Sequence, residues 1–284
     1  MSPQRFAILG VVALLALPAG CGGGGGDSAA TSRQMFLVRK SADASGAISA
    51  VLEAANRGIL AANPNSNSPA PGPHAVPVFP GATPAFDFAA AIDETFDFDA
   101  LDADGNDSFP DASGQIHVTA TGTETGDPSA GDATYSATVE VVADVSMTDP
   151  DTGVITTLPS GASWSYLLTV VWTMTDSENW EVTATATTSL DVQDVSVDDA
   201  GVITTVDVVG QREVVSSRAR THKKSSHERS FDGSLTTTVD DATTVETVVF
   251  VWDKPGHVSI SVLSTHFKDL SEGDVINLFG AAIN

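Results

Sequence analysis

The sequence predicts a mainly β protein: a large antiparallel sheet of long strands, arranged as a twisted meander, half-barrel or barrel, with an N-terminal helix and a candidate short C-terminal helix. Two observations predict it. From Ala85 onward the chain is rich in Thr, Val, Asp and Ala, with apolar residues at every second position, the pattern of strands with one buried face. The alternating runs are also unusually long, and a 13-residue strand at about 3.4 Å per residue exceeds 40 Å, which favours a meander or barrel over a compact sandwich.

The clearest run is Tyr135 to Met147, where Tyr135, Ala137, Val139, Val141, Ala143, Val145 and Met147 share one phase and only Val142 interrupts the polar phase. Trp164 to Met174 and Trp180 to Val192 repeat the pattern. Their mutual register follows, because a one-residue slip would turn every apolar side chain of one strand into water. Trp172 is therefore expected opposite Val182 and Met174 opposite Trp180, closed by a five-residue loop from Thr175 to Asn179. Further strands are expected at Gln115 to Thr123, Val202 to Val209, Glu213 to Thr221, Ser234 to Val239, Thr243 to Trp252 and Val258 to Phe267. The turn signals between them are Asp232-Gly233 and Asp253-Lys254-Pro255-Gly256. A short echo, Gly153-Val154-Ile155-Thr156-Thr157 and Gly201-Val202-Ile203-Thr204-Thr205, reads as one turn-to-strand transition used twice rather than as a repeat array.

Before the β region, Ile48, Val51, Leu52, Ala55, Ile59 and Leu60 recur at helical spacing, giving an amphipathic helix within 35–62. Gly46 and Gly58 weaken it, so its stability must come from packing. Residues 63–84 contain seven prolines and are expected to form a stiff linker, since each lacks an N–H donor. After the sheet, Leu270 to Ile283 is the candidate C-terminal helix, with Ser271 and Asp274 spaced as a capping box.

Charge and cysteine usage exclude several functions. Thirteen Lys and Arg against 37 Asp and Glu give a net charge of −24, which opposes general attraction to nucleic acid or anionic lipid. One cysteine excludes an intrachain disulfide framework and a zinc site built on several cysteines.

The N-terminus carries an address. A positive start, Met1 to Arg5, precedes an uninterrupted apolar run from Phe6 to Leu17 and then Pro18-Ala19-Gly20-Cys21. The run is too short to span a bilayer and has the layout of a signal peptide over residues 1–20. Leu17-Pro18-Ala19-Gly20-Cys21 resembles the lipobox of bacterial lipoprotein precursors, with Pro18 where the family prefers Leu. The resemblance implies cleavage before Cys21, lipidation of Cys21, membrane attachment in the cell envelope and, with Gly22 rather than Asp behind the cysteine, delivery to an outer membrane where the cell has one. Residues 21–34 then read as a Gly-rich tether holding the folded part about 20 Å from the bilayer.

Two clusters carry candidate chemistry. Asp102, Asp104, Asn106 and Asp107 form the densest oxygen-ligand group and suit calcium, although Asp107 and Ser113 occupy places where an EF-hand needs Gly and Glu. Six basic residues fall between Arg212 and Arg229. In an extended chain Arg218, Arg220, His222 and Lys224 would project from one side about 7 Å apart, a row suited to an anionic polysaccharide or lipid headgroup. Nucleic acid is excluded as a partner because no aromatic residues interleave this row.

No catalytic template is complete. G-x-S-x-G and H-E-x-x-H are absent from the sequence, and Asp151-Thr152-Gly153 follows polar Thr148-Asp149-Pro150 rather than a buried strand. A non-enzymatic binding or structural lipoprotein is the expectation. The alternative is a carrier of a lipid or other hydrophobic ligand, with Trp164, Trp172, Trp180, Phe250 and Trp252 lining a curved sheet.

Overall fold

A computed structural model describes residues 27–62, 91–98, 112–127, 129–149, 152–176, 178–222, 224–254 and 257–271. The proline-rich linker, the calcium candidates Asp102, Asp104, Asn106 and Asp107, the candidate C-terminal helix beyond Ser271, and Cys21 lie outside the described residues.

The chain is mainly β, one antiparallel sheet of eleven strands with a helix at its N-terminal side. Helix α1 (Asp27–Ala62) is followed by β1 (Ile92–Asp97), β2 (Ser113–Asp127), β3 (Ala130–Thr148), β4 (Ile155–Leu158), β5 (Ser163–Asp176) and β6 (Asn179–Asp199). The sheet continues with β7 (Val202–Thr221), β8 (Lys224–Asp240), β9 (Val245–Lys254), β10 (His257–Val262) and β11 (Thr265–Ser271). Each strand pairs with its sequence neighbours, with one modification: β4 and β5 lie end to end between β3 and β6. Pro159 to Gly161 separates them. Gly161 has φ 89°, and Ser160 N–H donates to Asp144 Oδ1 at 2.8 Å. At the same level β6 carries a register shift between Val192 and Val195, where Asp194 has φ 58° and its N–H donates to Asp207 Oδ1 at 2.9 Å. Interruptions of this kind bend strands and increase twist.

The register places Trp172 opposite Val182 and Met174 opposite Trp180, as the apolar alternation requires. The connection is tighter than the expected five-residue loop, because Asp176 pairs with Asn179. Asp176 accepts from Glu178 N–H and from the Asn179 amide at 2.8 and 2.9 Å, replacing loop length by side-chain bonds.

Other boundaries differ from expectation. Val202 to Thr221 is one strand, not two, and Asp232-Gly233 lies inside β8 opposite Arg212 and Glu213 rather than at a turn. Gly210 and Gly233 are sites of close strand approach: a Cβ would come within 2.2 Å of Ser234 O and 2.3 Å of Gln211 O respectively. Glycine here marks backbone proximity, which local sequence cannot separate from a turn. Val258 to Phe267 is a hairpin, reversed at Leu263 and Ser264 with φ 52° and 62°. β4 is the strand entered by the first copy of the echo at 153–157, whereas β1 was not legible as a strand.

Helix α1 begins at Asp27, so the expected tether through residue 34 is shorter by its last eight residues. Leu37, Val38, Lys40, Ser41, Ala42, Ala44, Ser45, Ala47, Ile48 and Val51 are buried. At 3.6 residues per turn they cover well over half of the helix circumference. Arg33 pairs with Asp241 and Glu246, Ser41 meets Thr237, further along β8, with the hydroxyls 2.5 Å apart, and Lys40 reaches Asp199 at the end of β6. The helix touches β1, β3, β4 and every strand from β6 to β10. Burial of side chains over more than half of the helix circumference needs sheet on several sides of the helix, which a flat sheet cannot supply. The sheet therefore curls around the helix, whose buried residues begin at Leu37; the exposed residues Ala30 to Ser32 before it are too short a stretch to be helical alone and are held through the Arg33 ion pairs.

Candidate functional site: the far end of the curled sheet

The inner face of the sheet carries two apolar clusters along the length of its strands. One includes the α1 core residues with Val141, Val145, Trp164, Val195, Val206, Phe250 and Trp252. It belongs to the helix end, where the β3–β4, β6–β7, β8–β9 and β10–β11 turns lie. Toward the far end, where β2–β3, β5–β6 and β7–β8 turn, a second cluster contains Ala120, Ala133, Tyr135, Tyr166, Leu168, Val170, Val182 and Ala184, with Trp172 and Trp180 packed against it. The five aromatic residues expected to line one surface are thus divided: Trp164, Phe250 and Trp252 pack around the helix, and Trp172 and Trp180 border the far-end cluster.

Strand register carries this second cluster directly into the basic segment. Antiparallel partners share a face, so Trp172, Val182, Arg218 and His227 form one row across β5 to β8, and Met174, Trp180, Arg220 and Ser225 form the next. Val170, Ala184, Ser216 and Arg229 form the row on the other side. Three rows with four basic positions and no Asp or Glu stand out in a chain of net charge −24.

The expected row of Arg218, Arg220, His222 and Lys224 does not form. Arg218 and Arg220 face inward together, but the β7–β8 hairpin turns at His222, which has φ 45°. Lys224 pairs with Thr221, placing it on the opposite face. The missing places are taken by His227 from the neighbouring strand, whose Nε2 lies 3.1 Å from Ser216 Oγ, and by Arg212 further along β7. Arg212 lies over the Trp252 ring at 5.3 Å, a cation–π arrangement reached across Gly233, which lies between them in the register.

The polar groups of this face are incompletely bonded. The Nε of Arg218 is shut off from solvent without a hydrogen-bond partner, as is the Tyr135 hydroxyl. Burial pushes the Tyr135 phenol up to about 12 and raises Tyr166 further, with Tyr135 adding to that rise, so both are neutral donors at physiological pH. The arrangement sets an apolar, aromatic wall on β3, β5 and β6 against guanidinium and imidazole groups on β7 and β8. Sequence reasoning identified both halves but not their union, which requires the β6–β7 register.

Among the described residues no group of three or more His, Cys, Asp or Glu is placed to hold a metal. No described helix is long and apolar enough to cross a membrane. No family model, curated protein or solved structure matches the chain.

Proposed function

We propose that this chain is a non-enzymatic lipoprotein of the bacterial cell envelope, anchored through lipidated Cys21, which binds an anionic amphiphile such as a fatty acid or acidic lipid at the far end of its sheet. The observation that carries the binding reading is Arg218. Its solvent-excluded Nε–H lacks an acceptor, and it shares a row with Trp172 and Val182. A buried donor without an acceptor is costly, and a carboxylate or phosphate would satisfy it with a charge-assisted bond while its alkyl chain lay on the aromatic wall. This arrangement favours an amphiphile over a polysaccharide, since the arginines adjoin apolar surface rather than forming an outward-facing row.

Photolabelling of the membrane-reconstituted lipoprotein tests the reading. A diazirine-bearing fatty acid is expected to label peptides containing Trp172 or Trp180 more strongly than its uncharged alcohol does. The double substitution Arg218→Gln and Arg220→Gln should lower labelling by the acid about tenfold, the scale of one lost charge-assisted bond. Equal labelling by acid and alcohol, unaffected by the substitutions, would leave a filled sheet with a structural role.

A further inference from the structure

The four most exposed large apolar side chains among the described residues are Val245 at 65%, Val202 and Ile203 at 61%, and Leu263 at 55%. All four lie at the helix end. Val202 and Ile203 begin β7, Val245 begins β9 and Leu263 forms the tip of the β10–β11 turn. Ile155, also exposed, begins β4 and lies level with Ile203, since both pair with Asp198 from opposite sides. The echo between 153–157 and 201–205 thus puts the same residue, isoleucine, at matching places on the rim. Leu263 occupies a left-handed position at φ 52°, where Asn or Gly is the unstrained choice. Exposed aliphatic side chains on four successive hairpins at one end, spread around a curled sheet, point to a surface that meets apolar material.

The chain leading to this end specifies which material. Only Gly22 to Gly26 separate Cys21 from Asp27, where α1 begins. Six residue steps reach at most about 20 Å, and the six helical steps from Asp27 to Arg33 add about 9 Å. Arg33 is fastened to this end through Asp241, Glu246 and Thr244. Chain length alone therefore keeps the part of the rim that holds Arg33 within about 30 Å of Cys21. The far end is one β6 length away, 21 residues or about 65 Å. The rim's acids are also partly neutralised from the helix: Arg33 pairs with Asp241 and Glu246, and Lys40 Nζ lies 3.1 Å from Asp199. Asp198 and Asp240 accept bonds from their own turns, from Gly201 and Ala242 N–H.

We infer that the helix end of the sheet is a membrane-docking surface, whose rim of Ile155, Val202, Ile203, Val245 and Leu263 enters the interface of the bilayer that holds Cys21. The inference rests on the lipid anchor proposed above. Several shallow aliphatic contacts add to the acyl chains in the way apolar residues of interfacial segments do, and they orient the molecule so that the aromatic and arginine-bearing end points away from that bilayer. The expected tether, which would hold the fold clear of the membrane, is replaced by contact.

The test uses the full lipoprotein, purified from membranes and reconstituted in phosphatidylcholine vesicles carrying a doxyl-labelled lipid. A bimane dye is attached at Ile203→Cys, at Leu263→Cys or, at the far end, at Glu178→Cys. Quenching at 203 and 263 at least threefold stronger than at 178 is expected, and Val202→Asp with Val245→Asp should abolish it at 263. The mass of the N-terminal peptide is measured on the same sample. If that peptide carries lipid and all three dyes stay in water, the anchor stands and docking is overturned. If it carries no lipid, the anchor reading falls and the docked orientation falls with it.

Discussion

The indole of Trp172 lies across Gly131, its register partner on β3, so closely that a methyl group on Gly131 would come within 2.4 Å of Trp172 Cζ2. The same methyl would come within 2.4 Å of Thr125 O. The position of an aromatic residue of the proposed binding face is thereby set by the absence of a side chain on the neighbouring strand.

Gly131→Ala should therefore displace both the indole and the β2 backbone, destabilising the protein by about 1–3 kcal/mol, the range for overpacking. Urea unfolding with a red-shifted tryptophan emission is the readout. Adding Trp172→Phe should restore only part of the loss, because the Thr125 carbonyl contact remains. A Gly131→Ala protein within about 0.5 kcal/mol of the parent would contradict the packing described.

Gly46 offers the opposite case. It lies on the less buried side of α1, and a Cβ there meets nothing within 4 Å. Gly46→Ala is expected to stabilise the fold by roughly 0.5–1 kcal/mol, through the lower backbone entropy of the unfolded chain. An unchanged or lower urea midpoint would show that this part of the helix is not helical in solution.

Asp43 introduces a pH dependence. Desolvation raises its carboxyl from 3.8 to about 6, against the opposing pull of Lys40, whose Nζ is 3.9 Å away. A carboxyl with a higher pKa in the folded state binds its proton more tightly there, so its contribution is greatest below about pH 4 and is lost as pH rises to about 6. The stability difference across that window should be about 1–3 kcal/mol. Asp43→Asn should remove this slope, seen as parallel urea midpoints at pH 4 and pH 7 once the shared carboxylate background is subtracted. A slope that survives the substitution would assign it to other groups.

The extent to which the fold was legible follows from the range of the interactions involved. Alternation at Tyr135 to Met147 and Trp164 to Met174 required one buried face, and that requirement was sufficient for the Trp172–Val182 register. The helix within 35–62 was legible from its period, but its start was not. Ser28 to Ser32 read as tether residues, and Arg33 needs Asp241 and Glu246, more than 200 residues away, to hold the first turns in place. Gly233 read as a turn residue, and Gly210 fell in the gap between two expected strands, because the backbone that closely approaches each of them belongs to another strand. The basic segment was equally visible, but its assignment to a single strand overlooked the reversal at His222.

Composition and periodicity by themselves determined that this chain is acidic, mainly β and long-stranded, because these properties depend on which residues alternate along a strand. Tertiary structure alone decided that the sheet curls around its own N-terminal helix, that Arg218 faces the same side as Trp172, and that the exposed aliphatic residues of four separate hairpins gather at one end. Each of these depends on register and curvature across neighbouring strands, where a one-residue shift reverses a side chain's face, and no local pattern records which strand lies beside which.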